Sequence, residues 1–177
     1  MMNPAHGESS PAINEWLNEE MAKLKNQLRL GGVVAALKFL NSHVEYRFTA
    51  IYRFQGKMQY AVYIHDRFNQ PTERFNTVVM MDGFCQYITV SEPFGMRDSA
   101  TDKRISEHNR HSQIRSFYGV PLGEAAGKPL GSLCHFDFTA GSLPATQECL
   151  FLNRAAGLLL TRLNGFQSQG SVRSTGN

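Results

Sequence analysis

Residues 115–137 read RSFYGVPLGEAAGKPLGSLCHFD, and this stretch decides the fold. Its first part, 116–122, sets Phe117, Tyr118 and Val120 in a short run rich in aromatic and β-branched residues, the composition of a strand. Pro121 fixes φ and lacks an N–H, which suits a strand edge or end. Residues 123–128 read as a loop, and 130–138 as a final strand. Gly119 and Gly131 remove side chains where another backbone or a ligand comes close.

Downstream, Gly-Ser-Leu-Pro at 141–144 opens a last helix that runs to about Leu163, with Gly165 as its stop. Ala145, Cys149, Leu152, Ala156, Leu159 and Leu163 form a heptad-like seam on it, and Phe151, Ala155 and Leu158 form a second apolar edge. One edge would pack on the sheet. The other would meet either the N-terminal helix of the same chain or a helix of a second copy. Upstream, 102–112 reads as weakly helical, 94–98 as a short strand, 83–90 as a helix capped by Asp82, and 77–81 as another short strand.

Further upstream the period is 2. Val44, Tyr46, Phe48, Ala50, Tyr52 and Phe54 alternate with polar residues. After the turn at 55–57, Met58, Tyr60, Val62 and Ile64 alternate with Gln59, Ala61, Tyr63 and His65. Two such runs predict a β-hairpin. Before it the period is 3.6. Ser10 and Pro11 start an amphipathic helix carrying Ile13, Leu17, Met21, Leu24 and Leu28, Gly31-Gly32 interrupts it, and a shorter helix follows over 33–42. The order is that of an α+β domain with a largely antiparallel sheet and helices against it.

The chain of 177 residues suits one domain, 11–164, with a loose arm at 1–10 and a tail at 165–177. Eighteen Lys and Arg against 15 Asp and Glu leave +3, too little and too scattered for a nucleic-acid surface. Cys85, Cys134 and Cys149 are odd in number and widely spaced, so neither a disulfide framework nor a structural zinc site is expected. The N-terminus lacks the pattern of a signal peptide, and no apolar run reaches the ~20 residues that span a bilayer. A cytoplasmic protein with no membrane segment is expected.

The 115–137 stretch closely resembles the paired last strands of bacterial GAF domains. In that family a tyrosine-rich strand ends in Gly-Val-Pro-Leu, as at 119–122, and is followed by G-x-x-x-G-x-L-C, as at 127–134, with an Asp beyond, as at Asp137. Residues 82–87, DGFCQY, look like the family's Ser-Phe-Cys helix start, and 94–98 like its strand closing on an Asp. The resemblance covers roughly 12–163. It implies a central, mostly antiparallel sheet of five to six strands, terminal helices on one face and short cap helices on the other. Such caps commonly enclose a small-molecule pocket. By position, Phe84, Phe94, Arg97, Asp98, Phe117 and Tyr118 would line it, the rings stacking and Arg97 and Asp98 orienting the ligand.

The resemblance therefore implies a sensory or regulatory module, not an enzyme, with an unknown small-molecule ligand or protein partner and no cofactor. It would signal through its terminal helices as a homodimer. Family members commonly adjoin an output module, and this chain's short ends imply that it reports through a separate signalling protein or a second copy. An alternative is the family's free methionine-sulfoxide reductases, using Cys85, but 99–114 lacks the further cysteine they carry there. A purely structural dimerisation module is a third. Cys134-His135 follows the Gly-Val-Pro-Leu strand, where bilin-attaching members place the pair before it. The Asn-Lys…Phe…Asp-Glu signature of cyclic-nucleotide binders is missing. Glu107, His108 and His111 would need His135 as a further metal ligand, and the solvated face of a cap helix accounts for them without one.

Overall fold

A computed structural model describes residues 9–163. The expected arm lies mostly, and the tail and Gly165 wholly, outside these residues. Helix α1, Pro11–Ser42, starts as its sequence dictates: the Ser10 hydroxyl accepts from the Ile13 N–H at 3.4 Å, with Pro11 first in the helix. It breaks at Gly32, whose φ of 68° and ψ of −162° only a glycine adopts readily.

Six strands follow: β1 (Phe48–Gln55), β2 (Met58–Asp66), β3 (Thr77–Val79), β4 (Phe94–Met96), β5 (Ser116–Ala125) and β6 (Lys128–Asp137). A single turn of helix, α2 (Glu107–Arg110), precedes β5, and α3 (Thr146–Leu160) closes the chain. The strands form one sheet in the order β3-β2-β1-β6-β5-β4, every pair antiparallel. The fold is α+β as expected, with α1 and α3 on one face and short segments on the other.

Both faces of the central strands are buried. On β1, β5 and β6, Ile51, Tyr118, Val120 and Leu133 point to the helices, while Phe48, Ala50, Tyr52, Phe117, Cys134 and Phe136 point to the cap. Burial on both faces is why 117–122 carries no polar side chain.

Several sequence expectations change. The hairpin's first strand begins at Phe48, not Val44. The loop before it is held by Arg67, which donates to the carbonyls of Asn41 (2.8 Å) and Val44. A bulge between Ile51 and Tyr52 shifts the pairing with β2, so Gln59 is buried while Val62 is exposed. The expected loop at 123–128 is instead strand up to a two-residue turn, with φ of 51° at Ala126 and 74° at Gly127.

The cap holds no long helix. The expected helix at 83–90 is two 3-10 turns, Met80–Asp82 and Phe84–Tyr87, separated by an extended Gly83. Asp82 caps neither, and the Gln86 amide donates to the carbonyls of Met81 and Gly83 at 2.8 Å each. At 102–112 only Glu107–Arg110 is helical, because Asp102 accepts from the Arg104 N–H and forms an Asx turn.

The seam of α3 is covered within the chain. Leu152, Ala156, Leu159 and Leu163 are buried, as are Phe151 and Ala155, in one core shared with α1 and the sheet. Cys149 and Leu158 are partly buried against this core, and Ala145 at the start of the seam is exposed. Among the described residues no helix is long and apolar enough to cross a membrane.

Candidate functional site

Between the sheet and the cap lies a cavity of about 190 Å³. Tyr52, Phe117 and Phe136 form its sheet side, Gln59 and Val78 come from the hairpin edge, and Phe75, Phe84 and Cys85 come from the short turns. Asp82 and residues 112–114 complete the lining. The walls are mainly aromatic. Tyr52 is anchored by donating to the Phe75 carbonyl at 3.1 Å, and burial pushes its phenol far above its usual pKa, so it stays neutral.

Two polar features stand out inside. Gln59 is 4% exposed, and its Oε1 has no hydrogen-bond partner. The amide lies over Gly83: a Cβ there would stand 2.7 Å from Oε1 and 2.9 Å from Nε2. Cys85 Sγ sits 3.1 Å from Ser132 Oγ, with the Cys134 thiol close enough to perturb it. The Cys134 hydrogen bond holds Cys85 below the ordinary thiol range, whereas burial drives Cys134 well above it. Cys134 itself does not line the cavity; it lies behind Cys85 on β6.

Of the six residues chosen from the sequence, Phe84 and Phe117 line the cavity, their rings 5.8 Å apart. Phe94 packs beside it, 6.3 Å from Phe117 and under the Arg104 guanidinium at 4.9 Å. Arg97 is exposed, and its carbonyl accepts from Gly141. Asp98 is engaged by Arg115 through two bonds of 2.8 and 3.0 Å, which hold its carboxyl below the usual range. Tyr118 stands on the helix face, opposite to its neighbour Phe117, because successive strand residues alternate. Gln59, Tyr52 and Phe75 were missed. Tyr52 carried a signal in the inward alternation of the hairpin; Gln59 read as an outward polar position until the bulge reversed it.

The histidine constellation does not assemble. His108 pairs with Asp82 at 2.7 Å, whereas His135 is buried on the opposite face. Among the described residues no three His, Cys, Asp or Glu side chains are grouped to hold a metal. His135 belongs to a structural network. Asn41 donates to Thr49 Oγ1 (2.9 Å), and Thr49 Oγ1 and His135 Nδ1 share a hydrogen bond of 2.8 Å. Burial pushes the His135 pKa down to about 3.

A larger groove of about 450 Å³ lies at the end of the helix layer, between residues 43–46 and 139–145. Asp137 in its lining accepts from the Arg47 N–H, Ser116 donates to the Thr139 carbonyl, and His43 meets Glu20, while the Glu148 carboxyl lines it with its pKa raised by burial. The smaller cavity is the stronger candidate, because it lies between sheet and cap and is walled mainly by aromatic rings.

No protein-family model matches the sequence, and no curated protein matches it. Solved structures match closely in shape. The GAF domain of a phosphoenolpyruvate-protein phosphotransferase from Coxiella burnetii superposes with a TM-score of 0.62 at 12% identity, covering 86% of this chain and 94% of that one. A free methionine-R-sulfoxide reductase from Neisseria meningitidis, in complex with its substrate, gives 0.56 at 14% identity, covering 91% and 95%. The chromophore-binding domain of a Stigmatella aurantiaca bacteriophytochrome gives 0.63 at 8% identity, covering 89% of this chain and 62% of that one. With the antiparallel sheet, the helix layer and the cap already traced, these likenesses establish that the chain has a GAF-like fold.

Proposed function

We propose that this domain is a sensory or regulatory module that binds a small molecule between sheet and cap and reports occupancy through α1 and α3. The carrying observation is the aromatic cavity of about 190 Å³. Its floor residues Tyr52, Phe117 and Phe136 each adjoin a residue on the helix face: Ile51, Tyr118 and His135. A shift of the floor is therefore felt by the helix layer one residue away. The ligand moves the module only by its differential affinity for two arrangements.

The test is a thermal-shift screen. A ligand at 100 times its Kd adds about 2.7 kcal/mol, which raises Tm by roughly 5–10 °C in a domain of this size. Cys85→Met fills the cavity and is expected to abolish the shift. No stabilisation by any neutral metabolite would overturn the reading.

The Cys85–Cys134 pair favours a second reading, reduction of a sulfoxide. Cys85 would attack the sulfoxide sulfur, the sulfide would leave, and Cys134 would displace the resulting sulfenic oxygen as water. Two thiols would become a disulfide that an external thiol restores. Against a free amino-acid sulfoxide stands the lining, which offers its carboxylate no cation. Turnover of an uncharged sulfoxide such as methyl phenyl sulfoxide with dithiothreitol, lost in Cys85→Ser, together with a Cys85–Cys134 disulfide that forms with substrate in the absence of reductant, would establish this reading over the first.

A further inference from the structure

We infer that the cavity takes a neutral, single-ring ligand that presents a hydrogen-bond acceptor, such as a ketone oxygen or a ring nitrogen, to the amide N–H of Gln59. This rests on the binding reading above and names the ligand chemistry it leaves open.

Size and charge set the frame. An apolar cavity of ~150 Å³ holds one benzene ring. The 190 Å³ here admits a ring with one or two small substituents. Tyr52, Phe75, Phe84, Phe117 and Phe136 offer faces and edges on which that ring stacks. The one carboxylate in the lining, Asp82, is 52% exposed and pairs with His108, so it belongs to the mouth. No Lys or Arg is among the lining residues. An ionised ligand would leave water without meeting a counter-ion, which is costly.

The polar atoms inside set the choice between donor and acceptor. Three buried lining residues carry them: Tyr52, Cys85 and Gln59. The Tyr52 hydroxyl is spent on the Phe75 carbonyl, and Cys85 Sγ lies against Ser132 Oγ. Gln59 is turned to the cap face by the bulge opposite it. Its Oε1 is fully enclosed and meets no ligand. Nε2 is neither enclosed nor hydrogen-bonded, and it is what this residue, only 4% exposed, offers to the cavity it lines. Gly83 leaves it room, since a Cβ there would stand 2.9 Å from Nε2. An amide nitrogen donates and does not accept, so the matching ligand atom is an acceptor.

The experiment is calorimetric titration of the full chain with acetophenone and with α-methylstyrene. The two share size and shape and differ in a carbonyl oxygen against a methylene. In a cavity without a donor the ketone binds the weaker, because its carbonyl leaves water and stays unpaired. The wild type is expected to bind acetophenone at least as tightly as α-methylstyrene. In Gln59→Met, a change that keeps volume and removes the donor, acetophenone is expected to lose about ten-fold relative to α-methylstyrene, the scale of one net hydrogen bond. The wild-type comparison stands without the variant, so a misfolded variant leaves it intact. Weaker binding of the ketone by the wild type, or an unchanged ratio in Gln59→Met, overturns the role of Gln59 while leaving the cavity a binding site. Failure of both probes, while a charged or larger compound raises Tm, overturns the ligand class alone. Failure of every compound overturns the binding reading as well.

Discussion

The two faces of the sheet are covered in different ways, and the difference places the cavity. The helix side is sealed by α1 and α3, whose Leu17, Leu24, Leu37, Leu152 and Leu159 interdigitate with Ile51, Val120 and Leu133. The cap side is covered by turns of three or four residues and by loops, and its core is mostly aromatic. A long helix offers a continuous row of side chains that close-pack on a sheet. A single turn offers one or two anchors and leaves space between them. Phe84, Phe75 and Ile88 act as such anchors, and the void lies among the rings.

This comparison can be broken at its strongest point. Leu159→Asp puts an unpaired charge at a fully buried site between α3, α1 and the sheet. It is expected to destabilise by about 3–5 kcal/mol and to leave little folded protein. Retained folding, read by circular dichroism and denaturant titration, would show that the helix side is not the sealed one.

Matched enlargements sharpen it. Ala155→Leu on the helix side is expected to cost about 1–3 kcal/mol by overpacking. Cys85→Met, growing into the cavity, is expected to cost less than about 1 kcal/mol. Urea unfolding of the two variants gives the contrast directly, and equal costs would mean that both faces are equally full.

The smallest expected effect is a slope with pH. His135 titrates near 3 in the folded protein and near 6.5 when free. The unfolded chain therefore takes up a proton that the folded chain refuses. The His135 contribution is complete above about pH 6.5 and is lost as pH falls toward 3, at up to about 1.4 kcal/mol per pH unit. His65 is shifted in the same direction by burial, so the measurement is a difference: unfolding free energy from pH 7 to 4.5 for the protein and for His135→Gln. The variant is expected to show the shallower slope.

Much of this was readable in the sequence because it was local. The Ser10-Pro11 start, the break at Gly31-Gly32, the hairpin around Gly56 and the strands around Gly-Val-Pro-Leu depend on caps, on φ values and on period, all properties of neighbouring residues. The site was less readable. Phe84 and Phe117 lie at the cavity, whereas Tyr118 stands on the helix face and Asp98 is held by Arg115. A large aromatic at the strand centre signals burial, and both faces here are buried, so burial alone does not give direction.

The sequence by itself determined the elements, their order and the α+β architecture, because hydrophobic period and turn chemistry act within a few residues. Tertiary structure alone decided what faces what. A one-residue bulge at Ile51 and Tyr52 turned Gln59 inward, and the packing of the 84–87 turn on β6 brought Cys85 to Ser132 across 47 residues of chain. α1 and the sheet covered most of the apolar surface of α3. Side-chain direction in a strand reverses with every residue, so a single shift in register, invisible to composition, decides which side chains meet at the site.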